Sequence, residues 1–270
     1  MATVTISRFA PSPSGRLHLG HAYSAVVGRA AGTRFLLRIE DLDAGRCRAE
    51  YVEGIFEDLR WLGIAWDGEP VVQSQRTAAY AAALAELRGR GLVYPCFCTR
   101  ADIAASLTAP HGDAGAAYPG TCRDLPDDPA RRAGCAHSWR LDSAKAVAAA
   151  GLPGWGADID DVILARKDAP AAYHLACVVD DAASGVSLVV RGADLRSSTP
   201  VQRLLQILLG LPEPAYLHHP LVAHADGRRL AKRDLAPTLA AMRESGVDGG
   251  ALAADLAQGR LPLEYRFIEA

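Results

Sequence analysis

Lysine is nearly absent from this 270-residue chain, which carries only Lys145, Lys167 and Lys232. Its basic residues total 29 against 31 acidic ones, a formal net charge of -2. That balance excludes a protein coated with positive charge, though not one that touches nucleic acid through a local patch. No stretch approaches the ~18 consecutive apolar residues that would span a bilayer, so no membrane partner is expected. The opening MATVTISRFAPSPSG lacks a charged segment followed by an apolar one, so no secretory signal is expected either. Six cysteines are too few for a disulfide scaffold and, without an export signal, point to reduced thiols or metal ligands. Together these absences describe a soluble, cytoplasmic protein.

Half of the residues are hydrophobic and 22% are charged, so a sizeable core is expected and wholesale disorder is not. The length suits one large domain, or a core domain with a small insert. Val4–Phe9 is rich in strand formers, and Arg34–Ile39 is a nearly continuous apolar run, as in a strand covered on both faces. His18–Ala31 between them is helix-compatible. Arg48–Leu62 puts Val52, Ile55, Phe56, Leu59 and Leu62 on one helical face before Gly63, a natural stop. A further helix runs from about Thr77 to Arg88, with Tyr80, Leu84 and Leu87 aligned. Strand, helix, strand, helix at these spacings predicts βαβ units and a parallel sheet.

The pattern breaks between Pro95 and about Pro153, a Gly-, Pro-, Asp- and Ala-rich stretch that holds four of the six cysteines. It reads as an insertion held by something other than a large apolar core. Strand-like runs return at Asp161–Ala165 and Val186–Arg191, and an apolar helix, Val201–Leu209, follows Pro200. The parallel sheet is expected to resume there, and Leu235–Ala270 to form short helices at most. The expected organisation is a core first half over 1–94, an insert over 95–160, a core second half over 161–233 and a tail over 234–270.

Two elements suggest phosphate chemistry. Pro11-Ser12-Pro13-Ser14-Gly15 leaves the first strand and leads into a helix that opens with His18, Gly20 and His21. Ligands of open parallel sheets bind beyond the carboxyl ends of strands, where helix N-termini aim free N–H groups. The two imidazoles, three residues apart, share a face, and the glycine lets a ligand approach the backbone. H-x-x-H alone is more often a pair of surface histidines; the strand–PSPSG–HLGH context makes it a site. The second element is Arg229-Leu230-Ala231-Lys232-Arg233, where a scarce, flexible lysine suits a moving phosphate charge. A solvated charge run is the ordinary alternative.

Beyond these two elements, PSPSGRLHLGH resembles the HIGH signature of class I aminoacyl-tRNA synthetases, and RLAKR stands where they carry KMSKS, with Ala231 in place of the usual serine. RFAPSPSG, RIEDLD, WLGIAWDG, QSQR, YHLACVVDD and VVRGADL resemble the glutamyl branch, in the same order over about residues 8 to 233. Only about 37 residues follow the loop, too few for the helical anticodon-binding region of glutamyl-tRNA synthetases. In length and insert the chain resembles the truncated paralogue family, the glutamyl-queuosine tRNA(Asp) synthetases.

That resemblance implies a Rossmann-like, doubly wound α/β core with a small zinc-stapled insert and a short helical C-terminus. It implies tRNA-independent activation of L-glutamate by ATP with Mg²⁺, then transfer to queuosine in the anticodon of tRNA(Asp), by a monomer. It assigns glutamate to Arg8, Ala10, Ser12, Glu40, Tyr173 and Arg191. ATP falls to Ser12, His18, Gly20, His21 and Lys232, with His18, His21 and Lys232 catalytic. Two arginine forks and one glutamate balance the two carboxylates and one ammonium of the substrate.

Cys96 and Cys98, with Cys122 further on, can supply three thiolates to Zn²⁺, which would staple an insert poor in apolar residues. The resemblance supplies Tyr118 as fourth ligand; His111, Cys135, His137 or water stay open in its place. Cys47 and Cys177 read as ordinary small core or boundary residues. For RNA the candidates are Arg228–Arg233, Arg100 and Arg123, with no aromatic cluster beside them. Two other functions remain: a minimal glutamyl ligase with a different acceptor, and a non-catalytic RNA-binding paralogue. Ala231 favours the latter; retention of His18, His21 and Lys232 argues against it.

Overall fold

A short strand, β1 (Ile6–Phe9), runs parallel to β2 (Arg34–Ile39), which runs parallel to the two-residue β3 (Val71–Val72). The computed structural model describes residues 4–99, 101–103, 118–126, 128–152, 154–155, 159–230 and 237–269. The chain divides into two compact units, 1–75 with 183–197 and 214–270, and 76–182 with 198–213. These limits cut the chain elsewhere than the changes in composition do.

In the first unit, helices α1 (Leu19–Ala31) and α2 (Ala49–Trp61) connect the strands. Leu19, Ala22, Ala25 and Val26 of α1 and Ile55 and Leu59 of α2 are buried with Phe35, Leu37 and Ile39 of β2. A second parallel pair, β7 (Leu188–Gly192) and β8 (Ala215–His219), lies on the other side of β1. Ser187 donates its backbone N–H to Ile6 O at 3.0 Å, and Arg8 Nη1 donates to Val190 O at 3.1 Å. These contacts climb together, so β7 and β1 point the same way. Strand order therefore reverses at β1 and β7, a switch point whose carboxyl side is where open α/β sheets take ligands. Parallel βαβ organisation is thus as the sequence predicts.

The C-terminal segment differs from expectation. Besides α8 (Leu239–Glu244) and α9 (Gly249–Ala257), it ends in a strand, β10 (Tyr265–Ile268), antiparallel to β9 (Leu221–His224). A four-residue strand with one ladder partner lacks the length to show a period in sequence.

The second unit holds an antiparallel sheet of β4 (Val93–Cys96), β5 (Ser138–Leu141) and β6 (Ile163–Ala165). Here the sequence reading is corrected: the strand within Asp161–Ala165 does not resume the parallel sheet but pairs antiparallel with β5. An apolar run of this length fits either kind of sheet, and only its partner decides. Helices α3 (Thr77–Gly89), α4 (Pro129–Gly134), α5 (Ser143–Ala149), α6 (Tyr173–Ala183) and α7 (Thr199–Leu208) complete the described α-helices. Leu84, Leu87, Leu141, Leu164, Leu175, Leu204 and Leu205 form its apolar core. Tyr94, Cys96, Tyr118 and Cys122 form a separate small cluster.

Candidate functional site

α1 starts on a reciprocal histidine cap. His18, the N-cap, accepts the Gly20 N–H on Nδ1 at 3.2 Å, while His21 Nδ1 accepts the His18 N–H at 3.2 Å. This is the capping-box logic with two imidazoles in place of Ser/Thr and Glu. An Nδ1 that accepts leaves the ring proton on Nε2, so both side chains are set as Nε2–H donors. The rings lie 3.9 Å apart, tilted by 44°. A Cβ on Gly20 would stand 3.1 Å from His18 Cε1, so the glycine makes room for the ring. The first turn carries no acidic residue that would compete with an anion for the helix N-terminus.

The chain returns to this turn from the basic segment. Gly227, at φ 90°, makes the turn from which Arg228 O accepts the His224 N–H at 2.9 Å, and Arg228 pairs with Asp226 at 2.7 Å. Further on, Thr238 bridges to His18 and Leu239 N donates to Leu17 O at 2.9 Å. Lys232, with Ala231 and Arg233, lies outside the described residues, as do His111 and Arg100.

Buried cations flank the switch point. Arg8 on β1 and Arg191 on β7 are 6% and 4% exposed. Arg191 Nε donates to His218 Nε2 at 3.2 Å from the directly opposite position on β8, with the Tyr216 ring 5.2 Å from its guanidinium carbon. Burial, with Arg191, Arg196 and His219 nearby, holds the His218 pKa below its usual value, so the imidazole stays neutral and can accept. Glu40, one residue past β2, accepts from Arg38 Nη2 at 3.0 Å and Nε at 3.3 Å. Its backbone N–H donates to Pro11 O at 3.0 Å, which ties the PSPSG loop to the end of β2. Ser12 Oγ lies 3.9 Å from Cys47 Sγ, and Ala10 is half-buried at the exit of β1. Burial pushes the Cys47 thiol up, so it rests as a protonated, half-buried residue.

The first unit thus brings together Arg8, Ala10, Ser12, His18, Gly20, His21, Glu40 and Arg191. Tyr173, the first residue of α6, belongs to the second unit. Arg38 and His218 are supporting residues the sequence reading missed. The alternation of β2 could have raised Arg38, since an arginine inside a buried strand needs a partner.

In the second unit, one ligand atom each from Cys96, Cys98 and Cys122 lie within 4.8 Å of one another. Cys98 and Cys122 Sγ are 3.5 Å apart, close to the ~3.8 Å edge of a tetrahedron with 2.3 Å Zn–S bonds. Tyr118 Oη is 3.4 Å from Cys96 Sγ and 3.6 Å from Cys98 Sγ, and accepts the Cys122 N–H at 2.9 Å. The donor set suits a thiophilic cation. Burial pushes Cys98 up to about 11, a cost that a bound cation would reverse. His137 Nδ1 instead contacts Cys135 O at 3.0 Å, and Cys135 is exposed, so neither joins this cluster. Cys177 is buried in the core, as expected. Arg123, one of the candidates for RNA contact, pairs with buried Asp161 at 2.7 Å.

Residues 4–257 match the family model described as tRNA synthetases class I (E and Q), catalytic domain. The glutamyl-Q tRNA(Asp) synthetase of Nocardia farcinica is 51% identical over 249 residues, 88% of this chain and 79% of that one. The protein of the same name from Rhodobacter capsulatus is 44% identical over 265 residues, 89% of this chain and 95% of its own. The crystal structure of glutamate-tRNA synthetase from Elizabethkingia anophelis superposes with a TM-score of 0.74 at 23% identity, a likeness of fold. It covers 94% of this chain, which spans 61% of that structure. Among the described residues no helix is long and apolar enough to cross a membrane. On the strength of the motif geometry and these matches, the chain belongs to the class I tRNA synthetases (E and Q), in the glutamyl-Q tRNA(Asp) synthetase family.

Proposed function

We propose that the protein activates L-glutamate with ATP, without needing tRNA, and transfers the glutamyl group to queuosine in the anticodon of tRNA(Asp). The observation that carries this reading is the gathering of buried Arg8 and Arg191, Arg38-held Glu40 and the His18–His21 cap on the carboxyl side of one parallel sheet. The arginine forks take the two substrate carboxylates and Glu40 the ammonium. Ser12 adds a hydrogen bond, and the small Ala10 leaves room for the side chain.

In the first step a glutamate α-carboxylate oxygen attacks the α-phosphorus of ATP. The bond to the β-phosphate oxygen breaks, leaving glutamyl-adenylate and pyrophosphate. In the second, a queuosine hydroxyl attacks the activated carbonyl carbon, and AMP departs with the bridging oxygen. Neither step needs a protein nucleophile, so the residues position reactants and stabilise charge. His18 and His21 donate from Nε2 to the phosphates at Gly20, and Lys232 follows the pyrophosphate as it leaves. Mg²⁺, which class I synthetases use with ATP, would be held mostly by the phosphates and would neutralise their charge. Cys96, Cys98, Tyr118 and Cys122 would hold one structural Zn²⁺. We assign the protein to the cytoplasm as a monomer.

The test is glutamate-dependent ATP–pyrophosphate exchange without tRNA, followed by transfer of labelled glutamate. Lys232→Ala should lower the exchange rate by about 10²–10³; normal exchange would remove Lys232 from the reaction. Label should enter tRNA(Asp) that contains queuosine and not the same tRNA lacking it. Equal labelling of both would replace queuosine by another acceptor.

A further inference from the structure

The antiparallel sheet of the second unit carries a ladder of rings and cations that the proposed chemistry does not use. Trp139 stands opposite Pro95 in the β4–β5 register, and Ser138 opposite Cys96. Ser138 and Arg140 are buried, so His137 and Trp139 project from the other face, and both are half-buried. Phe97, beside His137, completes the row: Phe97 to His137 is 5.5 Å between ring centroids, and His137 to Trp139 is 5.3 Å. Each end is covered by an exposed arginine. The Arg131 guanidinium carbon lies 4.2 Å from the Phe97 centroid, and that of Arg88 lies 4.1 Å from the Trp139 centroid. Lys167, one of only three lysines, donates to Phe97 O at 3.0 Å and faces Asp102. Among the described residues neither Arg88 nor Arg131 forms a salt bridge to a carboxylate.

We propose that Arg131, Phe97, His137, Trp139 and Arg88 form a stacking platform for unpaired bases of the RNA substrate. Splayed bases stack on aromatic faces and on guanidinium planes, and an arginine laid over a ring offers its outer plane to a base. Lys167 and the two arginines supply the positive charge that tracks a phosphate backbone. Cations flanking the rings favour RNA as the occupant, because each cation can neutralise a backbone phosphate while the neighbouring plane takes a base. The inference rests on the RNA acceptor named under the proposed function and locates part of its contact surface within the second unit.

The probe is a synthetic anticodon stem-loop of tRNA(Asp) bearing queuosine, bound to the full-length protein at several salt concentrations. Arg88→Gln with Arg131→Gln, both at exposed positions, should weaken binding about 10-fold or more. The double variant should also flatten the salt dependence by up to about 1.4 in log–log slope, about 0.7 per lost phosphate contact. Trp139→Leu should weaken binding by about 5- to 150-fold, and Trp139→Phe should recover most of that loss. Glutamate-dependent pyrophosphate exchange without RNA should stay unchanged in the arginine double variant. Unchanged affinity and salt slope in that variant, with normal exchange, would overturn the platform. Equal weakening for a blunt duplex of the same length would also overturn it, because the platform reads unpaired bases. Failure of the unaltered protein to label queuosine-bearing tRNA would sink the acceptor assignment instead, and stem-loop binding would still report on the ladder.

Discussion

The two compact units bury charge of opposite sign. Among the described residues the first buries Arg8, Arg38 and Arg191 with a single acid, Asp58. The second buries Asp142, Asp161, Asp180 and Asp181 with a single cation, Arg140. Buried charge is costly and persists where something compensates it. In the second unit much of the compensation is internal. Asp161 takes Tyr94 at 2.5 Å, Arg123 at 2.7 Å and Ser143 at 2.7 Å, while Asp180 takes Arg76 at 2.5 Å and Tyr80 at 2.7 Å. In the first, the arginines cluster on the carboxyl side of a parallel sheet, next to a helix N-terminus that also favours negative charge. Anions such as an amino acid with two carboxylates or a triphosphate suit such a place. The two units thus place their buried charge differently, one inside polar networks of the fold and the other at the end of a parallel sheet where ligands bind.

The largest effect should come from emptying the internally compensated site. Burial raises the Asp161 pKa, but the hydrogen bonds from Arg123, Tyr94 and Ser143 outweigh it and hold the carboxyl below its usual range. Asp161→Ala should therefore lower the unfolding free energy by about 3–5 kcal/mol, measured by urea denaturation. A loss under about 1 kcal/mol would mean that water replaces the network and that the second unit is not built on it.

Arg191→Met should raise the KM for glutamate about 10²-fold or more, because a buried charge-assisted contact to an anion is lost. The KM for ATP should move little. Equal increases for both substrates would show that Arg191 supports the sheet rather than the amino acid, and would break the contrast between the units.

The part of this site legible in the sequence is the part built locally. HLGH lies within one helical turn, so spacing alone gives the shared face and the need for Gly20. Cys96 and Cys98 are likewise local, and only Cys122 and Tyr118 come from a distance. What escaped the sequence was non-local pairing of short strands. β6 has three residues and β10 four, and such runs do not reveal their partners. The same cause hid the ring ladder: Phe97 is brought beside His137 and Trp139 by the β4–β5 register, across about 40 residues of chain. His218 was hidden because its role depends on standing opposite Arg191 across β7 and β8.

The smallest effect tests the exception in the first unit, the lone buried acid among its described residues. Asp58 Oδ1 accepts from Arg243 Nη1 at 2.9 Å, while Oδ2 has no partner among the described residues. Burial is the leading influence and pushes the Asp58 pKa up to about 6, with Arg243 and Arg16 only partly opposing it. In the unfolded chain the same carboxyl releases its proton near 3.8. Between these values the folded protein holds more protons than the unfolded one, so this group makes stability fall as pH rises. About two pKa units correspond to about 3 kcal/mol, all of it lost by pH 7. Asp58→Asn stays neutral and can still accept from Arg243. Its unfolding free energy relative to the unaltered protein should therefore rise between pH 4 and pH 7, by about 1–3 kcal/mol. Two parallel stability curves over that range would mean that Asp58 is solvated or fully paired in solution. The first unit would then carry its one buried acid as the second carries Asp161, and the difference in how the two units treat buried carboxylates would disappear.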